Sequence, residues 1–184
     1  MTYRIHLLAL AILVAPLTIA VAADTKPAVT KLSGLSATAP AAWQSEKPSN
    51  RLRSYQFKLA SPEKDLADGE LAVFPESTPK WEDKFKEWKE TIVPADDVKP
   101  EDAAKQSEFK VGENVVHVLD ANGTWKYRER PRDPSSKEML KPEYRVVWLV
   151  LVTKDETTHI RLSGPAKVVD KHYADAIAWV KSLK

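Results

Sequence analysis

The order of apolar and polar residues divides the chain into short alternating stretches and two longer helical ones. In SYQFKLA, Tyr55, Phe57 and Leu59 alternate with polar residues, the two-residue period of a half-buried strand. SPEKDLADG then reads as a turn, and GELAVFPE as the next strand, closed by Pro75. Upstream, LSGLSATAPAAW reads as a short strand ending at Pro40. A helix is predicted after Ser77 or Thr78, either of which can cap it, with Pro79 near the first turn where a missing N–H costs nothing. Trp81, Phe85, Trp88 and Ile92 recur at spacings of 4, 3 and 4, which draws one apolar stripe. Pro94 ends that helix.

Residues 104–128, AKQSEFKVGENVVHVLDANGTWKYR, predict three strands joined by two tight turns. Gly112 marks the first turn. Asn122-Gly123 marks the second and is the strongest short hairpin signal in the chain. Trp125 and Tyr127 then project to one face. RVVWLVLV is apolar at consecutive positions, as a central strand covered on both faces would be. TKDETT makes a turn, and HIRLS returns with Ile160 and Leu162 on one face. Pro165 opens a final helix whose apolar stripe is Val169, Tyr173, Ala176, Ile177, Val180 and Leu183. Strands joined by short turns, with helices between, define an α+β class: an antiparallel sheet with two main helices packed on it, covering both faces at its middle.

The beginning of the chain follows another pattern. Arg4 precedes an apolar run from Leu7 to Val21, and Ala20 and Ala22 stand as small residues before a cleavage point, the three parts of a secretory signal peptide. The run is short for a bilayer, which takes about 20 apolar residues. The expected division is a signal peptide at 1–22, a disordered leader at 23–31, and one domain at 32–184, with no membrane span once the signal is removed. The chain has no cysteine, so an exported domain must be stable from its core alone. Six tryptophans supply much of that core's area. Missing thiols also leave a cysteine-linked lipid anchor, iron–sulfur clusters and Cys-rich zinc sites without ligands.

Charge narrows the partners. The chain carries 28 Lys+Arg against 26 Asp+Glu, a formal +2, and the first 22 residues hold one Arg and no acid. A near-neutral domain lacks the field by which dedicated nucleic-acid binders collect phosphates, so no nucleic acid is expected.

Chemistry is sparse. His117, His159 and His172 form no H-x-x-x-H or H-x-H pair, and no HExxH occurs. His117 reads as a hydrogen-bonded strand residue, His172 as a solvated residue beside the last helical stripe. There is no GxSxG elbow; Ser163 in RLSGPA reads as a cap or turn residue before Pro165. Five glycines scattered singly give neither a Walker loop nor a dinucleotide fingerprint. Asp96, Asp97, Glu101 and Asp102 lack calcium-loop spacing and read as a solvated loop. Asn122 begins a glycosylation sequon, NGT, but the predicted turn demands the same residues. No catalytic residue, metal ligand or cofactor is therefore expected.

Two basic clusters remain, at Arg51 and Arg53 and at Arg128, Arg130 and Arg132. Between Lys126 and Arg145 stand seven basic and four acidic residues. One reading is a surface for an anion or an acidic partner. The other is an elongated solvated crossover whose arginines pair with Glu129, Asp133 and Glu143. Under the first, the binding residues are Trp43, as a stacking face, and Arg51, Arg53, Arg130 and Arg132, as forks for carboxylate or phosphate.

SATAPAAW, KWEDKFKEWKETI after two strands, the series through DANGTW, and the closing RLSGPAKVVDKHYADAIAWVKSL together resemble a broad superfamily. It includes the PsbP-like proteins of photosystem II, the DcrB-like bacterial envelope proteins and the Ran-binding Mog proteins. WQSEKPSNRLRSYQFKL and GPAKVV are similar to segments of uncharacterised secreted proteins of planctomycete-type bacteria. The resemblance implies a PsbP-like α/β/α sandwich and a non-enzymatic role in binding or assembly. It does not carry the photosystem role, for which no matching acidic loop is present. The expected function is an exported binding or assembly factor of the bacterial cell envelope, acting on another envelope protein or an anionic ligand. A hydrolase or carbohydrate-active enzyme with a site drawn from distant residues, and a purely structural envelope protein, are the alternatives.

Intact-mass measurement of the exported protein is expected to show cleavage after Ala22; a mature chain still beginning at Met1 rejects the signal assignment.

Overall fold

The computed structural model describes residues 28–76, 80–130 and 133–184. The expected signal peptide, the capping residues Ser77 and Thr78 with Pro79, and Pro131 and Arg132 lie outside the described residues. Strands β1 (Val29–Leu32) and β2 (Leu35–Thr38) form a small hairpin turning at Ser33 and Gly34, both at positive φ. This hairpin begins inside the stretch expected to be leader. Thr30 is fully buried, and its hydroxyl donates to the Ala37 carbonyl at 3.0 Å, so the ordered fold starts before residue 32.

The main sheet has eight strands: β3 (Trp43–Glu46), β4 (Tyr55–Leu59), β5 (Gly69–Glu76), β6 (Ile92–Val93), β7 (Ala104–Val111), β8 (Asn114–Tyr127), β9 (Met139–Val152) and β10 (Thr157–Pro165). Their spatial order is β3-β4-β5-β10-β9-β8, with β6 and β7 both paired to the outer edge of β8. Every pairing is antiparallel. Helix α1 (Trp81–Glu90) follows β5, the single turn α2 (Pro100–Ala103) precedes β7, and α3 (Ala166–Lys181) closes the chain. The predicted α+β class and its antiparallel sheet are present. Among the described residues no helix is long and apolar enough to cross a membrane.

Alternation in β9 and β10 sends successive side chains to opposite faces, and each face has its own core. On one, Val147, Leu149, Leu151, Ile160 and Leu162 pack against Val169, Ala176, Trp179 and Val180 of α3, with Phe57, Trp43 and the β1–β2 hairpin beside them. On the other, Val146, Trp148 and Val150 pack with Phe85 of α1. The α1 tryptophans extend that contact: Trp88 stacks on Trp148 at 5.4 Å and Trp81 on His117 at 3.9 Å. Consecutive burial of residues 146–151 is the two-sided cover that their unbroken apolar run predicts. The α1 stripe, however, is shorter than predicted: Ile92 lies beyond the helix, in β6, because Thr91 caps Glu90's turn with its N–H bonded to Trp88 and Lys89 carbonyls.

The predicted hairpin at Asn122-Gly123 is not formed. β8 runs unbroken through these residues to Tyr127. Gly112 does make the β7–β8 turn, at φ +58. The reason for Gly123 is different: at φ +150, a Cβ there would stand 2.3 Å from the carbonyl oxygen of Val93. Its missing side chain admits the β6 backbone against β8. The same place carries a register shift, where Pro142 and Glu143 of β9 together face Thr124, and Glu143 adopts φ +55. An extra residue of this kind bends a strand and sharpens its twist.

Gly123→Ala is expected to lower the unfolding free energy by about 2–4 kcal/mol in urea titrations, through strain and contact with β6. Gly112→Ala, where nothing lies within 4 Å, should cost about 1 kcal/mol. Equal losses from both would refute the close-approach role of Gly123.

Candidate binding site on the open half of the sheet

Helix α1 covers only one half of its sheet face. Its aromatic residues lie over His117, Trp148 and His159, at one end of β8, β9 and β10. The other end of that face is built from Glu70 of β5, Arg161 and Ser163 of β10, and Lys141 and Tyr144 of β9, with Trp125 and Tyr127 of β8. These residues line a cavity of about 270 Å³, and no helix residue contributes to it.

The β8–β9 arm forms one wall by curling over the face. Arg161 is level with Trp148 of β9 and, through it, with Leu119 of β8. Trp125 lies six residues beyond Leu119, about 20 Å along a straight strand. Yet the Arg161 guanidinium carbon sits 5.0 Å from the Trp125 ring and 5.9 Å from that of Tyr127. Only an arm folded back over β10 brings them together, and the shift at Gly123 and Glu143 is where the bend falls. Trp125 packs on Tyr127 at 4.8 Å and on Tyr144 at 6.1 Å. Lys141 places its ammonium over Tyr127 and Tyr144, at 4.9 and 5.2 Å from their centroids. Each such cation–ring contact contributes about 0.5–2 kcal/mol, more as water is excluded.

The floor is a charged cluster. Glu70 accepts from Arg53 Nη1 at 2.5 Å and from Arg161 Nη2 at 2.8 Å. Both arginines also lie against the Phe74 ring. Burial pushes the Glu70 carboxyl up, but Arg161 and Arg53 together outweigh it and hold the group below its ordinary range. Burial pulls the Arg161 guanidinium below its usual value despite Glu70. At the rim, Lys58 pairs with Asp68 at 2.8 Å, and that bond, with the Ser61 N–H, lowers the Asp68 pKa. Glu46 accepts from Gln56 Nε2 at 3.1 Å.

Of the described residues expected from sequence to bind a partner, Arg53 alone joins this cluster, behind Glu70. Trp43 is in the core, edge-on to Trp179 at 5.5 Å and tilted on Phe57 at 5.6 Å, and offers no free stacking face. Arg53 is 3% exposed in its side chain and is spent on Glu70 and Gln56. Arg51 is exposed. Arg130 is exposed and pairs with Asp133 at 2.9 Å, as the solvated-crossover reading requires, and Arg128 pairs with Glu138 rather than Glu129. Arg132 lies outside the described residues. The structure does not bring Trp43, Arg51, Arg53 and Arg130 together as one surface. The charged stretch is also shorter as a connection than its composition suggests: β8 reaches Tyr127 and β9 begins at Met139. Its last cation, Arg145, is bound bidentately by Asp120 at 2.6 and 2.9 Å, and by Asp170 of α3 at 2.6 Å.

One histidine reading also changes. His172 is 3% exposed, not solvated; its Nε2 lies 3.0 Å from the Ala60 carbonyl, where α3 meets the loop after β4. His117 is held by stacking on Trp81, with Nδ1 3.3 Å from Glu108. Ser163 is a buried strand residue rather than a cap. Among the described residues no cluster of His, Asp and Glu is placed to hold a metal ion.

The cavity residues were partly signalled: Trp125 and Tyr127 alternate onto one face, and Arg161 stands between the inward-facing Ile160 and Leu162. What joins them is the bend of the arm, which no local pattern encodes.

No family model and no curated protein matches this chain. A crystal structure of PA94, a protein of unknown function from Pseudomonas aeruginosa, is similar over 86% of this chain and 96% of that one, at 12% identity and a TM-score of 0.44. That likeness carries no argument about function.

Because the folded Glu70 pKa lies below its unfolded value, its stabilising contribution is full above the unfolded value and is lost as pH falls through the folded one. Glu70→Gln is expected to cost about 3 kcal/mol at neutral pH, by leaving two arginines without their carboxylate. Its stability should also fall less steeply than the wild type below about pH 5. Parallel acid-unfolding curves would reject the Glu70 cluster as a source of acid sensitivity.

Proposed function

We propose that this chain is a non-enzymatic binding module of the bacterial cell envelope, and that the cavity under the curled β8–β9 arm is where its partner or ligand is held. One observation carries the reading: among the described residues, half of a sheet face is left without a helix and is instead lined by three aromatic rings and a set of fixed charges. Concave sites with rigid aromatic walls and a few placed polar groups are the usual form of a ligand site. The signal-like N-terminus supports the envelope as its compartment, and the resemblance to PsbP-like, DcrB-like and Mog-like proteins supports binding over catalysis.

The chemistry of the cavity favours the same reading over a hydrolase. A carboxyl that serves as general acid must be held above its ordinary range, but Asp68 and Glu70 are both held below it. Ser163 lines the cavity beside Glu70 across the β10–β5 register, an arrangement that lacks the base of an activated serine.

Ligand-observed and amide-detected NMR against a library of small fragments, neutral and charged, tests the proposal. The expected outcome is a set of binders whose shift changes cluster at residues 125–127, 141–144 and 161–164. Binders that cluster elsewhere, or no binder at all, overturn it, as would turnover of generic ester, phosphoester or glycoside substrates at this cavity.

A further inference from the structure

The charge ledger of this cavity does not close, and the sign of the remainder points to a ligand class. Arg53 and Arg161 share the single carboxylate of Glu70, so that cluster keeps one positive charge. Lys141 adds another. Its ammonium rests on the faces of Tyr127 and Tyr144, and among the described residues no carboxylate comes within ion-pair distance of it. Arg161 and Lys141 both stand on one ring, at 5.9 Å and 4.9 Å from the Tyr127 centroid. The acids across the cavity offset them only in part: Asp68 is taken by Lys58, and Glu46, on edge strand β3, accepts from the neutral Gln56 amide and keeps its own charge, so Arg53, Lys58, Lys141 and Arg161 against Glu46, Asp68 and Glu70 leave one positive charge. Arg161 also has a buried Nε with no acceptor, so its hydrogen-bonding capacity is not exhausted by Glu70.

A guanidinium and an ammonium converging on one aromatic wall match a carboxylate, which accepts from both through charge-assisted bonds. A dianion would meet Glu70 and Asp68 in the same space and is disfavoured by like charge. The cavity of about 270 Å³ is smaller than the roughly 300–1,000 Å³ of a drug-sized pocket, so the body bearing the carboxylate is about one ring in size. Glu46, Asp68 and Ser163, which also line the cavity, present oxygen acceptors, which suit a hydroxylated ring rather than a bare aromatic one. We infer that the cavity binds a ring-sized polyhydroxy carboxylate of the uronic-acid class, its carboxylate at Lys141 and Arg161 and its hydroxyls toward the acidic rim. This inference rests on the binding reading given above.

The test is calorimetric or NMR titration of the whole chain with D-glucuronate, D-galacturonate, D-glucose, benzoate and inorganic phosphate. A uronate is expected to bind at least about tenfold more tightly than glucose, the effect of one charge-assisted contact, and more tightly than benzoate or phosphate. Lys141→Met should weaken uronate binding by about tenfold without altering the amide spectrum outside the arm, and Lys141→Arg should restore most of it. Glucose binding equal to uronate, tighter binding of benzoate or phosphate, or an unchanged affinity in Lys141→Met would overturn the assignment. If neutral fragments perturb residues 125–127 and 161–164 while uronates do not, the ligand class fails and the binding reading stands. If nothing perturbs them, both fail.

Discussion

The long β8–β9 ladder is the constraint on which the rest depends. Residues 115–127 of β8 pair with 139–152 of β9 in one antiparallel run, broken once, where Pro142 and Glu143 face Thr124. On one side of that irregularity the ladder is flat enough to carry two cores, one under α3 and one under α1. On the other it bends, and the aromatic residues it carries close over β10. Gly123 makes the bend compatible with the edge: a side chain at that point would occupy the position of the Val93 carbonyl, so β6 could not pair with Trp125 and Thr124.

Buried charge is arranged on both faces, to different ends. On the α3 face, Arg145 is held by Asp120 and Asp170 and lies 4.4 Å from the Tyr173 ring. Two carboxylates around one guanidinium keep it charged, raise its pKa further, and fasten the last helix to the sheet. On the α1 face the ratio is reversed, with two guanidinium groups on one carboxylate. A surplus of positive charge there is tolerated because the aromatic rings of Phe74, Trp125 and Tyr127 receive the Arg161 cation on their faces. The same protein therefore uses an Arg–carboxylate cluster once to close a joint and once to leave a site with an unmet charge.

Several elements follow from local pattern alone. The two-residue period of Tyr55, Phe57 and Leu59 made β4, and the unbroken apolar run at 146–151 made a strand covered on both sides, because each side chain position had only one way to leave water. Pro165 fixed where the last helix begins. The helical stripe after it was legible, although Trp179 and His172 joined its buried set through contacts with Trp43 and Ala60 that come from far along the chain. The errors have one cause. Asn122-Gly123 carries a turn's chemistry, but a glycine needed for a close backbone approach looks the same in sequence as one needed for a turn. Trp43 and Arg53 look like surface groups only while their neighbours are unknown.

By itself the sequence determined the class of fold, the central strand and the absence of thiol chemistry, because these depend on periodicity and composition within a few residues. The candidate site was decided by tertiary structure alone. Glu70, Trp125, Lys141 and Arg161 come from four different strands, and their meeting depends on the curvature of a ladder rather than on any spacing in the chain. Whether an arginine is a free surface cation or a buried partner of a carboxylate is likewise a property of what lies across the sheet: Arg53, expected as a surface fork, is buried against Glu70, which Arg161 shares.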